Sequence, residues 1–251
     1  PSGDGNAAPE PPRRDARFVA VVAADKQAAS DRSVRVYGED PPMASAAAPA
    51  VWEGMRASGQ TPSFALMLAV KKKGRAGAMP RLFEFQGATV AGDDVVAWIA
   101  DDSSKPGRPT GEPGADVTCW VAQSTPAYAA RRVKAMATVP GTAPHQALLN
   151  EVAEEMTEAL LALAAKCAGG SEMEIEIAHA AAHRWGAAFP DDGAVAAAAA
   201  SGKGCLSDAG RRVVGGGDFC VAPKIEGAAL SGAAAAARGV EMIADAPAAS
   251  L

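Results

Sequence analysis

The chain has 251 residues, 49% of them hydrophobic and 21% charged, with 29 acidic against 24 basic side chains and a formal net charge of −5. That length supplies a sizeable core for one large domain or two small ones. The acidic balance, with no evident basic face, argues against electrostatic capture of nucleic acid, and no apolar run reaches about 18 residues free of charge or proline, so no membrane span is expected.

Four cysteines, Cys119, Cys167, Cys205 and Cys220, are scattered and form no C-x-x-C pair. They read as reduced thiols rather than as a zinc ribbon or a disulfide framework. No internal repeat with a period of 20 to 50 residues is visible, so solenoids and propellers are not expected.

Residues 1–16 are rich in proline, glycine and charge and read as a disordered tract or linker, and the absence of an initial methionine suggests a processed chain or a fragment. Phe18 to Ala24 (FVAVVAA) is a wholly apolar, β-branched run, expected as a strand buried on both faces and ended by Asp25. A short helix is expected around Trp52 and Met55. From Ser63 the runs SFALMLAVKKK, RLFEFQ, VVAWIADD and VTCWVAQS, separated by Gly and Pro turns, predict an antiparallel meander. Leu148, Val152, Met156, Leu160 and Leu163 recur at three- and four-residue steps. They predict a helix from about Pro144 to Cys167, stopped by Gly169 and Gly170. EMEIEIAH alternates at period two and reads as a half-buried strand. Residues 191–204 read as a loop or weak helix, followed by a last strand at Arg212 to Val214 and a helix from about Gly227.

Several candidate chemistries compete. His179 and His183 share one face of a helix or a strand, as a metal pair requires, but third and fourth ligands are missing nearby apart from Asp191 and Asp192. Two structural histidines are the simpler reading. Lys71, Lys72, Lys73 and Arg75 sit at a predicted hairpin turn without interleaved aromatics and read as a solvated turn. Ser231 lacks the G-x-S-x-G elbow, and its small size suits close helix packing. The richest stretch is RRVVGGGDFCVAPKIEGAALSGAAAAARGV, residues 211–240. Glycines after a strand let the backbone approach a ligand, Asp218 supplies an acceptor, and a helix start offers free N–H groups to an anion. The competing reading is a glycine-rich strand end with Asp218 as a turn residue.

The stretch GGGDFCVAPKIEGAALSGAAAA resembles the carboxyl-terminal FAD motif of amine-oxidase and renalase-like flavoproteins. VVAADKQAAS, FALMLAV, VVAWIADDSSKPGR, CWVAQSTPAYA and HRWGAAFP, in that order along residues 17–245, likewise resemble the plant, algal and cyanobacterial renalase-like oxidoreductases. The resemblance implies an α/β protein with mixed sheets: part of a Rossmann-like FAD domain (17–60 and 205–245) and a mainly antiparallel substrate domain with flanking helices (61–190). It implies that Gly216, Gly217 and Asp218 lie against the ribityl or pyrophosphate part of FAD. Ile225, Glu226, Gly227 and Ala228 would approach the pyrimidine end of the flavin with a helix N-terminus. His183, Arg184, Trp185 and Trp98 would line the substrate cavity, with Arg184 as an anion clamp. No catalytic residue and no metal is assigned.

The G-x-G-x-x-G unit that opens this family is missing, and residue 17 onward already matches the family's middle. Two functions are therefore expected as alternatives. One is an FAD-dependent oxidoreductase moving a hydride between flavin and a small molecule such as a reduced nicotinamide (NAD(P)H). The other is a non-catalytic scaffold or assembly subunit that kept the fold, docking a partner chain or itself through exposed sheet edges. The expected compartment is the chloroplast stroma or the cytoplasm.

Overall fold

The computed structural model describes residues 18–31, 43, 47–73, 82–108, 117–135, 141–170, 174–191 and 203–245. The tract 1–16, the turn 74–81 and nearly all of the expected loop 191–204 lie outside them. The chain is an α/β protein that divides into two compact units, one formed by Pro1–Gly59 with Asp191–Leu251 and the other by Gln60–Pro190.

In the first unit, β1 (Val21–Ala23) runs parallel to β8 (Val213–Gly215), which pairs antiparallel with β7 (Leu206–Asp208). The Asp25 side chain accepts the Gln27 N–H and opens a single 3-10 turn, Lys26–Ala29. Helix α1 (Pro49–Ala57) starts with proline in its first turn, where a missing N–H is harmless. It buries Val51 and Met55 in a core with Ala23, Val213 and Phe219. Helix α4 (Ile225–Ala244) buries Ser231, Ala235, Gly239 and Met242. The expected two-sided burial of Phe18 to Ala24 does not occur. Phe18 lies outside the strand and is 75% exposed, and Val21 and Val22 are 42% and 53% exposed, because β1 is an edge strand with no outer neighbour among the described residues.

The second unit is a five-stranded antiparallel sheet in the order β3-β4-β5-β2-β6, comprising β2 (Gln60–Lys72), β3 (Gly87–Thr89), β4 (Val96–Asp101), β5 (Val117–Ser124) and β6 (Ile175–Pro190). Only β3, β4 and β5 form a meander. From β2 the chain crosses to the far edge, so Lys71 to Lys73 do not begin a hairpin, and Lys71 pairs with Glu176 at 3.0 Å. Leu82 to Gln86 of the RLFEFQ run do not form a strand. Leu82 and Phe83 are consecutive and both buried, which an alternating strand with one buried face does not allow. The ladder begins instead at the Gln86 carbonyl, which accepts the Asp101 N–H.

Helix α2 (Pro126–Ala135) and the long α3 (Ala143–Cys167) cover one sheet face. The covered face contributes Phe64, Leu66, Leu68, Val70, Ile99 and Trp120 to a core that receives Val152, Met156 and Leu160 from α3. Tyr128 of α2 is buried there and donates its hydroxyl to Glu155 Oε2 at 2.6 Å, and Glu155 also meets Arg132 at 3.1 Å. Burial, then the Glu155 hydrogen bond, raises the Tyr128 pKa well above its usual value. A phenol whose folded pKa lies above its unfolded value of about 10 stabilises the fold below pH 10, and that contribution is lost as pH rises beyond it. Tyr128→Phe is expected to destabilise by about 1–2 kcal/mol at neutral pH and to flatten the fall of the melting temperature above pH 10.

Candidate functional site

Because β1 and β8 are parallel, their carboxyl ends lie side by side, and the Gly216 N–H donates to the Ala23 carbonyl at 3.0 Å. Ligands of α/β sheets bind at such an edge. It collects Asp25 and Lys26 from one strand end and Gly216, Gly217 and Asp218 from the other.

Packing explains all three glycines. A Cβ on Gly215 would lie 2.9 Å from Met55 and Val51 of α1, and one on Gly216 would lie 3.1 Å from Ala235 of α4. Gly217 has φ 157°, and a side chain there would strike the Phe219 ring. The strand end is thus wedged between two helices. Ser231, fully buried in α4, accepts the Gly217 N–H at 2.9 Å. The expected small helix-packing residue is also a backbone anchor.

Asp218 is half-buried and opens a 3-10 turn, Asp218–Cys220. On that turn sits the start of α4, where Lys224 is the N-cap and no side chain fills the first-turn N–H groups. Gly227 is buried against the Ala222 backbone, whereas Ile225 (87% exposed), Glu226 and Ala228 face outward.

Lys26 was not legible as part of this site. Its ammonium donates to the Gly59 carbonyl at 2.8 Å and reaches toward Ser58 O at 3.5 Å. Burial lowers its pKa against the opposing pull of Asp218, Asp191 and Asp25. Gly59 O also accepts the Asp191 N–H. Lys26 therefore ties the site to the point where the chain leaves this unit and returns.

The other candidates lie in the second unit. Antiparallel partners point to the same sheet face. The register aligns Thr89, Trp98, Gln123, Ala65 and His183 in one row across all five strands, on the face opposite the helices. Trp185 is two residues beyond His183 on the same face, opposite Ser63, and the His183 and Trp185 rings meet edge to face at 4.7 Å. The structure thus brings Trp98, His183 and Trp185 together on one face. Arg184 is separate from them. It pairs with Phe64, whose side chain is fully buried on the helix-covered face, and its Nε is buried without a hydrogen-bond partner. An anion clamp on the face of Trp98 is therefore not what this arginine forms.

His179 and His183 stand four residues apart on β6, roughly 13 Å at strand rise, too far to share one ion at bonds of about 2 Å. Among the described residues no group of three or more His, Cys, Asp or Glu is arranged to hold a metal. The four cysteines are free, and burial raises the pKa of Cys205 and of Cys220. No described helix is long and apolar enough to cross a membrane. Compared with protein-family models and with curated proteins, the chain shows no match.

Proposed function

We propose that this chain belongs to an FAD-dependent oxidoreductase of renalase-like type, acting on a small molecule such as a reduced nicotinamide. The observation that carries the reading is the gathering of Lys26, Gly216, Gly217 and Asp218 at the carboxyl ends of a parallel strand pair, with the uncapped start of α4 following the Asp218–Cys220 turn along the chain. These residues fit the flavin end of the cofactor. Asp218 offers an acceptor to the hydroxyls of the ribityl chain, and the N–H groups of Ile225, Glu226 and Gly227 favour negative charge at a ring edge. The sequence holds no G-x-G-x-x-G fingerprint for the AMP half.

Bound flavin would supply the two-electron chemistry. In the first unit the chain's own contribution would be to hold the ring edge at a helix N-terminus; the second unit, taken by itself, offers a helix-free sheet face bearing Trp98, His183 and Trp185. In this reading the protein works in a reducing compartment, the chloroplast stroma or the cytoplasm.

Titration of the full chain with FAD, FMN and riboflavin tests the proposal. Weak binding with little preference for FAD is expected, because the anchors serve the flavin end. Asp218→Ala should weaken it about ten- to a hundredfold. Absence of flavin binding, or an Asp218→Ala variant equal to the wild type, overturns the reading.

A second reading, a scaffold or assembly subunit, is favoured by one observation. The outward face of α4 carries Leu230, Val240 and Ile243, and the β1 edge carries Val21 and Val22, all at least 42% exposed. A helix apolar on both sides is ordinarily covered. Failure of the flavin titration would leave this reading standing.

A further inference from the structure

We propose that the first unit pairs with a second copy of this chain about one two-fold axis, β1 against β1 and α4 against α4, both antiparallel. The inference deepens the assembly reading, on which it rests, by naming the partner. β1 lacks the usual guards of an open edge: Phe18 to Ala24 holds no charge and no proline, and the β1–β8 register runs without a bulge. The Val21 N–H donates to Arg212 O, and Ala23 O accepts from Gly216, so both residues spend their backbone groups on β8. Val22 between them turns its N–H and carbonyl to the outer side, where no described strand stands. Two copies of such a strand satisfy each other.

Helix α4 carries the matching symmetry. It packs on both β1 and β8. Ala234 lies on the β7 side, 3.1 Å from a Cβ placed on Gly204, so the opposite flank overlooks the β1 edge. At 3.6 residues per turn that flank is Ile225, Ala229, Gly232, Ala236, Gly239 and Ile243, none of them charged. Ile225 is 87% exposed and Ile243 42%. Nothing lies within 4 Å of a Cβ on Gly232 or Gly239, so packing inside the chain explains neither glycine, although each weakens a helix. Reversed about Ala234, the flank meets its own pattern: Ile225 falls opposite Ile243 of the second copy, Ala229 opposite Gly239, and Gly232 opposite Ala236. Large residues meet at the two ends, and small ones in the middle let the helices approach closely.

One axis serves both pairings. Ala235 lies 3.1 Å from a Cβ placed on Gly216 and shares a cluster with Val214. Val214 and Gly215 pair with Val22 and Ala23, so the middle of α4 stands level with the middle of β1. Because α4 straddles β1 and β8, an axis half a strand spacing beyond β1 sets the two α4 helices roughly 10 Å apart, within the packing distance of about 8–10 Å. A three-residue strand alone is too short to hold two chains. Alongside it, a helix about 30 Å long supplies further area toward the roughly 800 Å² per partner that specific interfaces bury. A two-fold contact of this kind closes on itself and stops at the dimer.

Sedimentation equilibrium of the full chain tests the pairing, and a reversible dimer is expected. Ala236→Glu changes an exposed position of the single copy and sets two like charges beside the axis. It should raise the dimer dissociation constant roughly a hundredfold and leave the circular dichroism spectrum unchanged. Ile225→Glu and Ile243→Lys should each weaken the dimer, and the two combined in one chain should recover most of the loss, since residue 225 meets residue 243 only in the antiparallel register. A monomer at every concentration, a dimer indifferent to Ala236→Glu, or a double variant no tighter than the single ones overturns the inference. The flavin titration separates this outcome from the reading beneath it. A monomer that binds no flavin loses the self-pairing and leaves the assembly reading with a different chain as partner, whereas a monomer that binds flavin loses both.

Discussion

Gly227→Ala is expected to destabilise the unit built from residues 1–59 and 191–251 by about 3 kcal/mol, although alanine in a helix is ordinarily better than glycine by about 1 kcal/mol. The added methyl would overlap the Ala222 carbonyl oxygen and lie 2.8 Å from the Ala222 nitrogen. Both obstacles are backbone and cannot rotate away, so overpacking at the top of its usual range outweighs propensity. Urea denaturation followed by circular dichroism would read the difference. A stabilised variant would show that the first turn of α4 does not rest on residue 222. Gly232, on the same helix with open space around its Cβ position, is the control and should gain stability on conversion to alanine.

Leu160→Ala should cost the second unit about 3 kcal/mol or more. Leu160 is fully buried midway along α3, in the cluster that joins Met156 and Val152 to Phe64 and Trp120. The sheet beneath cannot collapse to fill the space, and losses of about 2–5 kcal/mol follow such truncations. Leu163, only partly buried on the same helix, should lose markedly less on the same change. Equal losses at the two positions in thermal or urea unfolding would contradict the packing described for α3.

The elements legible in the sequence were those whose side chains divide cleanly between two environments. The three- and four-residue spacing from Leu148 to Leu163 marked a helix that runs from Ala143 to Cys167, with Gly169 and Gly170 at positive φ just past its end. Alanine hid what followed. β6 continues to Pro190 through AHAAAHRWGAAFP, far beyond the alternating EMEIEIAH, because alanine signals neither face. The short β7 was missed although SDAG after an apolar pair is turn chemistry, and the Asp208 side chain indeed accepts the Arg211 N–H. FVAVVAA and RLFEFQ misled for opposite reasons. The first is apolar yet only Ala23 of it is buried, and in the second Leu82 and Phe83 are buried without being paired.

Within the candidate site, Asp218 and the start of α4 announced themselves through neighbouring glycines. Lys26 could not, since only the parallel pairing of β1 with β8 brings it to Asp218. Gln123 stands beside Trp98 and Ala65 only through strand register, which composition does not encode.

The junction at Gly59 and Asp191 bears on how the chain assembles. The first unit is discontinuous, and its two parts meet where the Asp191 N–H reaches the Gly59 carbonyl. Within the second unit Gln60 lies opposite Pro190 in the β2–β6 ladder. Once that ladder zips, the intervening span no longer acts as a long floppy connector between the halves of the first unit. Closing it would otherwise cost about 0.6 kcal/mol per doubling of length. Shrinking a span as long as Gln60–Pro190 to a few residues removes roughly five doublings, about 3 kcal/mol of entropic opposition. Formation of the β2–β6 ladder is therefore expected to favour closure of the discontinuous first unit, and a break in that ladder to slow maturation of the Asp218 region.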